Sequence, residues 1–521
     1  MSASREKKIR QDLAAQGVTD PKKIREAEEK AKARKTNILY GVIAGLFVIV
    51  AAALLVWNSG IMQRSAAAVT INGEKYTAGQ VDYFYANAKS SILKGGYASL
   101  LGVSTSTPLS QQVMNDSAKT LLNVTDEGEI TWEQYLRDTA VKQLTMAVAI
   151  ANEAEANGEG ADEHTEEEIA STVEQFTTYA KQNGYSLKEY LKLVYGKCMT
   201  INTFKDMVRL TDIASHYQSH YAESLTYTLS DLDSYYNDNQ TTFNVGSYEY
   251  IYFKGTASTT TDDDGNAVEP TEEANAAAHE QAKADAEAVL ARVQAGEKLE
   301  DVAKDYTTGT YSSTESATNT GDTVTTWVFD ESRKAGDSAV LEADVNYYLV
   351  VFRSAGRQEY ATKDVRHILF MVDTSDLNSE SETYESDLQA AMDAAKAKAD
   401  DALAQWKSGD ATEDSFAALA NELSEDGGSN TNGGLYTKIF KGQMVNEFND
   451  WCFDESRQPG DTGIVFNENT GYHVMYFVGD DVPYWQVQVE NSLRSSDTEA
   501  WSNALVEGVT ATQEAGMKYV G

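Results

Sequence analysis

Cysteine is nearly missing from this 521-residue chain: only Cys198 and Cys452 occur, far apart in sequence. Two thiols exclude a disulfide framework and any zinc site built from cysteine, and the expectation is two separate buried thiols. Also missing are a GxSxG nucleophile motif, a P-loop and a dinucleotide fingerprint, so nothing points to acyl transfer or nucleotide chemistry. Positive charge is scarce. Lys and Arg number 43 against 81 Asp and Glu, a formal charge of -38. The first 36 residues hold 11 basic and 6 acidic side chains, which leaves 32 against 75, or -43, for the rest. A surface that negative repels nucleic acid and anionic lipid and favours solubility or contact with basic clients. No nucleic-acid partner is expected.

Long apolar runs are missing too, with one exception. Residues 38–57 form an uncharged apolar run of 20 residues ending in Trp57, about what a helix needs to cross a hydrocarbon core. Lys30, Lys32, Arg34 and Lys35 precede it, and the next basic residue is Arg64. The positive-inside rule then keeps residues 1–37 in the cytoplasm as a basic segment and everything after Gly60 outside. A cleaved signal peptide is the rival reading, with small residues at 65–68 as its cleavage site, but its apolar region would be shorter, about 7 to 15 residues.

What is present divides the remainder. At about 100 to 200 residues per domain the length gives three or four units. Residues 69–73 read as a short strand and an Asn-Gly turn, followed by helical periodicity over 132–156, 166–183, 186–195, 201–221 and 229–237, so 58–245 is expected to be a helical module. Beyond it the pattern changes to strand, loop, helix, loop, strand, and then happens again. Trp327-Val-Phe-Asp-Glu-Ser-Arg-Lys-Ala-Gly-Asp337 and Trp451-Cys-Phe-Asp-Glu-Ser-Arg-Gln-Pro-Gly-Asp461 agree at eight of eleven positions. Tyr347 to Phe352 parallels Tyr472 to Phe477, and Glu249 to Phe253 parallels Arg366 to Phe370. Two tandem homologous α+β domains follow, 246–357 and 358–482. Residues 483–521 read as a helix with Trp501 and Leu505 and an edge strand at 517–520. The strand at 69–72 has no partner in the helices after it, so this tail is expected to return and pair with it.

In the second copy, Val365-Arg-His-Ile-Leu-Phe370, Ser424-Glu-Asp426, Gly433-Gly434, Gly442-Gln-Met444 with Phe448, and Gly471-Tyr-His473 stand in order. Together they resemble the parvulin family of peptidyl-prolyl isomerases over about residues 360–480. The resemblance implies a small antiparallel sheet wrapped by helices, with His367 and His473 hydrogen-bonded on adjacent strands as catalytic residues. It implies Asp426 beside them as the third catalytic residue, and Met444 and Phe448 in a substrate pocket for the proline ring. Where parvulins read Gly-Asp-Leu-Gly, this chain has Gly434-Leu435-Tyr436-Thr437, so Leu435 or Tyr436 lines that pocket. The first copy has Tyr250 and Tyr348 where the second has histidines, and no counterpart of Met444 or Phe448. It reads as a degenerate parvulin-like domain.

Other candidates carry less. His216 and His220 are spaced i, i+4 without a HExxH pattern or a third ligand, and read as ordinary helix histidines. Asp262-Asp-Asp-Gly265 lacks EF-hand spacing and reads as a solvated loop. No metal and no cofactor are expected. The whole pattern resembles the PrsA and SurA class of extracytoplasmic foldases, a helical chaperone module (the SurA N-domain pattern) with parvulin domains inserted. That resemblance implies isomerisation of X-Pro bonds in unfolded or newly secreted clients, at the cell membrane of a Gram-positive bacterium. A non-enzymatic holdase, or an envelope scaffold using both copies as binding surfaces, is the alternative.

Overall fold

The computed structural model describes residues 60–521 except 95, 127, 263–264 and 376, and parts of 7–51. Of the expected transmembrane helix, residues 42–51 are described and helical, with Phe47 73% exposed. Residues 38–41 and 52–57 lie outside the described residues, as does much of the basic segment 1–37. Among the described residues no helix is long and apolar enough to cross a membrane. The chain divides into two compact units, Met1–Leu225 with Asp497–Gly521, and Thr226–Ser496.

The first unit opens on a hairpin. Strands Ala67–Ile71 and Glu74–Thr77 pair antiparallel around Asn72-Gly73, whose φ values of 48° and 88° suit a tight hairpin turn. Thr77 then caps helix Ala78–Leu93, Gln80 reaching back to its backbone N–H at 2.8 Å. Helices Trp132–Ala156, Glu163–Gln182, Leu187–Tyr195 and Ile201–Ser224 follow. Val69, Ile71, Val81, Phe84, Leu136 and Leu144 form a core that also takes in Met517 and Val520. The tail supplies a third strand, but not at the expected place. Residues 515–519 are a 3-10 turn, and Ala511–Gln513 is the strand, with Val69 opposite Gln513 and Ile71 opposite Ala511. The reason is burial: the 3-10 turn drops Met517 and Val520 into the core, which an edge strand there would leave half outside.

The second unit carries two four-stranded antiparallel sheets. In the first, strands Val245–Phe253, Gly309–Ala317, Ser338–Ala343 and Asn346–Gly356 lie in the order second, first, fourth, third. Strands Ala361–Phe370, Leu435–Ile439, Thr462–Asn467 and Gly471–Pro483 repeat that order in the second. Helix Leu229–Asp238, expected with the helical module, falls in this unit because Leu232 packs with Phe243, Trp485 and Val489.

The repeated eleven-residue segment has one physical role, used twice. Asp330 accepts from the Ser332 N–H and hydroxyl at 2.9 and 2.6 Å, and Asp454 from those of Ser456 at the same distances. Arg333 lies 4.6 Å over the Trp327 ring and Arg457 4.1 Å over Trp451. Gly336 and Gly460, at φ 91° and 92°, turn the chain so that each N–H meets a strand carbonyl, Phe352 or Phe477, at 2.8 Å. The segment is a turn that launches the third strand of each sheet.

Strand alternation gives the second sheet two different faces. Ile368, Phe370, Tyr472 and Val474 face helices Tyr384–Ser408 and Glu413–Leu423 through Ala395, Ala399 and Phe416. Val365, Met475 and Phe477 face the other way, with Ile439 and with Phe448 and Cys452 of helix Asn446–Cys452. His367 and His473 share the odd-numbered face of their strands.

Candidate active site

His367 stands opposite Met475 in the ladder, which puts His473 two residues away on the same face, a diagonal that large side chains can span. Their rings stack at 5.2 Å with 20° between planes, and the two Nδ1 atoms are 3.0 Å apart. Both are buried, 3% and 5% exposed. Phe448 closes the floor edge-on to both, 5.4 Å from His367 and 5.5 Å from His473.

Asp426 comes from the loop between helix Glu413–Leu423 and strand Leu435–Ile439. Arg366 holds that loop from below, bonding Glu413 at 2.9 Å and the Gly433 carbonyl at 3.0 Å. Its end is drawn against the histidine strand, where the His367 N–H meets the Gly434 carbonyl at 2.8 Å. A Cβ at Gly434 would lie 2.2 Å from the His367 carbonyl oxygen, so only glycine permits the approach. Asp426 Oδ2 thereby reaches His367 Nε2 at 2.8 Å. The same oxygen accepts from Ser429 Oγ at 2.5 Å and Tyr436 Oη at 3.0 Å, and Oδ1 accepts from the Gly428 N–H at 3.1 Å.

These contacts fix one direction of proton donation. A carboxylate only accepts, so His367 Nε2 carries a proton, and in the neutral ring that burial favours, His367 Nδ1 accepts. His473 Nδ1 therefore donates, and its Nε2 accepts from Thr470 Oγ1 at 2.8 Å. Both rings are neutral in this pattern. Burial agrees: it lowers the pKa of His367 against the pull of Asp426, and burial followed by the neighbouring His367 brings His473 down to about 4. For Asp426 burial pushes upward, but the bonds from Ser429, His367, Gly428 and Tyr436 win and hold it at about 2. The Cys452 thiol beneath is pushed up to about 12 by burial, so it packs as a hydrophobe.

The structure thus brings together His367, His473, Asp426, Tyr436 and Phe448, with Met444 half-buried in the same cluster. Between Leu435 and Tyr436 it is Tyr436 that lies on the histidine side, its ring 5.4 Å from His367. Leu435 alternates to the other side of its strand. Sequence reasoning missed Ser429, fully buried, and Thr470. Neither stands in an apolar pattern; the available signals were a serine three residues after Asp426 and a threonine in the turn before Gly471-Tyr-His473. His216 and His220 lie in the first unit, His220 paired with Glu159 at 2.6 Å and His216 beside His164 at 5.8 Å between rings. Residues 263–264 of the acidic loop lie outside the described residues, and Asp262 accepts from the Asn266 N–H at 2.8 Å.

In the first sheet Tyr250 stands opposite Val350 with Tyr348 two residues away, the register of His367, Met475 and His473. The two tyrosine rings are 5.8 Å apart.

Residues 347–479 match the family model described as the PPIC-type PPIase domain. Among solved structures, the chain is similar to PrsA of Bacillus anthracis, described as a peptidylprolyl isomerase, at 19% identity, covering 29% of this chain and 59% of that one with a TM-score of 0.18. It is similar to PrsA of Bacillus subtilis at 12% identity over 74% of this chain and 90% of that one, TM-score 0.24. A Campylobacter jejuni structure described among SurA-like chaperones aligns at 12% identity over 85% and 96%, TM-score 0.14. No curated protein matches the chain. Over residues 347–479 this chain carries a domain of the PPIC, or parvulin, type of peptidyl-prolyl isomerase.

Proposed function

We propose that the second copy catalyses rotation about X-Pro bonds in unfolded or newly secreted polypeptides. The observation that carries this reading is the one-way hydrogen-bond chain from Thr470 through His473 and His367 to Asp426, set over the buried ring of Phe448. Rotation about a peptide bond crosses about 18 to 20 kcal/mol, and an X-Pro bond takes tens to hundreds of seconds unaided. No bond is made or broken, so what accelerates it is loss of amide resonance. Apolar walls that grip the proline ring exclude the water that stabilises the planar amide. A fixed, pre-oriented polar network favours the twisted form over the planar one. Met444, Phe448 and the Tyr436 ring supply the walls, and the histidines and Asp426 the fixed polar groups.

The first copy then serves as a non-catalytic sister for packing or client contact. Tyrosines hold its histidine positions, and its link from helix to strand is 304–308 where the second copy has 424–434, the segment bearing Asp426 and Ser429. Residues 38–57 anchor the chain in the cell membrane, with 1–37 cytoplasmic and the rest outside, consistent with the basic flank on one side only. Protease added to intact cells should then remove the ectodomain and spare the N-terminus.

A second reading, a holdase that binds clients without turning them over, is favoured by one observation: Phe448 is only 1% exposed, so the floor of the site is closed. A proline-isomerisation assay on the ectodomain separates the two. Wild type should be active, and Met444→Ala or His473→Ala should lower kcat/KM by about tenfold or more, or about 1.4 kcal/mol, with the fold intact by circular dichroism. Unchanged turnover in both variants would overturn the site. An inactive wild type that still suppresses aggregation would favour the holdase.

A further inference from the structure

The polar cluster contains one group that the histidines and the carboxylate do not account for. Tyr436 sits on the edge strand opposite Val365, half-buried, and sends its hydroxyl to an oxygen that already accepts from His367 and Ser429. The loop leaves room for it: a Cβ on Gly428 would come within 3.0 Å of Tyr436 Oη. Burial first, and then Asp426, raises the tyrosine's own pKa, so it stays a donor through the neutral range.

The consequence follows from charge sharing. A carboxylate beside an imidazole stabilises the protonated ring, and here Asp426 does pull the pKa of His367 upward against burial. Every other donor on Asp426 Oδ2 draws off part of the charge that would otherwise stabilise an imidazolium. The titratable groups facing His367 are Asp426 on the loop, His473 on the neighbouring strand and Tyr436 on the edge strand; helix Asn446–Cys452 presents Phe448, which is neutral. Tyr436 is thus the partly exposed member of a set whose other hydroxyl, on Ser429, is fully buried.

We propose that Tyr436 is a positioning residue of the isomerase site, whose hydroxyl shares the charge on Asp426 and so holds the His367–His473 pair neutral with its protons directed toward Asp426. This rests on the isomerase reading above. In the first sheet the same register position, opposite Tyr248, is held by Thr314, and there is no histidine pair there to keep neutral.

Tyr436→Phe in the full chain keeps the ring and removes the donor. Nitrogen-15 chemical shifts of the two histidines report protonation and tautomer directly, whether or not the chain is active. The variant should titrate at a pH higher by about half a unit to one unit, and the acid limb of kcat/KM should move up with it. A merely structural tyrosine would change neither. Unchanged histidine titration in Tyr436→Phe would overturn the proposal. If wild type shows no isomerase activity the functional reading falls, and the histidine titration alone still decides whether Tyr436 does this.

Discussion

With its ring 5% exposed and stacked on a second imidazole, His473 has a pKa brought down to about 4, and that of His367 is lowered in the same direction. Between about pH 6.5, the unfolded value, and 4, the unfolded chain holds a proton on His473 that the folded domain does not. Stability therefore falls as pH drops through that window, and Asp426, depressed to about 2, adds a further loss below about pH 3.8. Denaturant melts should show a shallower slope between pH 6.5 and 4 in His473→Asn than in wild type; equal slopes would mean that burial does not shift this ring. His367, His473, Asp426, Met444 and Phe448 were legible through the resemblance of their order and spacing to parvulins, and the structure brings them close together. Ser429 and Thr470 could not, since a buried hydroxyl satisfied by a loop carboxylate or a neighbouring ring leaves no periodicity.

At the scale of single elements, the duplicated turn was the clearest signal in the sequence, and the structure gives its reason. Five of the residues kept in both copies make the same contacts: the aspartate on serine, arginine on tryptophan, and glycine at positive φ. A Cβ on Gly336 meets nothing within 4 Å, and one on Gly460 only the Tyr476 hydroxyl at 4.0 Å. Replacement by alanine therefore costs backbone strain alone. Gly336→Ala and Gly460→Ala should each lose roughly 1 to 2 kcal/mol by chemical denaturation, and by similar amounts; a large loss at one site only would contradict the shared turn. Less legible was the tail. The run at 517–520 is as β-capable as 511–513 in local propensity, and what decides between them is where Met517 and Val520 can be buried.

For the whole molecule, the two units differ in how they use the chain: the second is one continuous segment, and the first is made of two. Arg137 donates twice to the Val520 carbonyl, at 3.1 and 2.7 Å, and Trp501 stacks on Tyr221 at 4.1 Å. Truncation after Gly508 removes the third strand and two buried side chains, and should cost the first unit on the order of 3 kcal/mol while the melting of the second unit stays put. Equal melting of both units in the truncated chain and the full one would show that the tail adds nothing. The paired strand has a further consequence in time. Thr70 meets Glu514 across 444 residues of sequence, which at about 5 to 20 residues per second is roughly 20 to 90 s of synthesis. Through that interval the hairpin at Ala67–Thr77 waits with an open edge and an unfilled core while the whole second unit is made. A nascent chain is thus expected to form the sheets of its second unit before its helical unit is complete, because that unit closes only when Ala511–Gln513, Met517 and Val520 have been made.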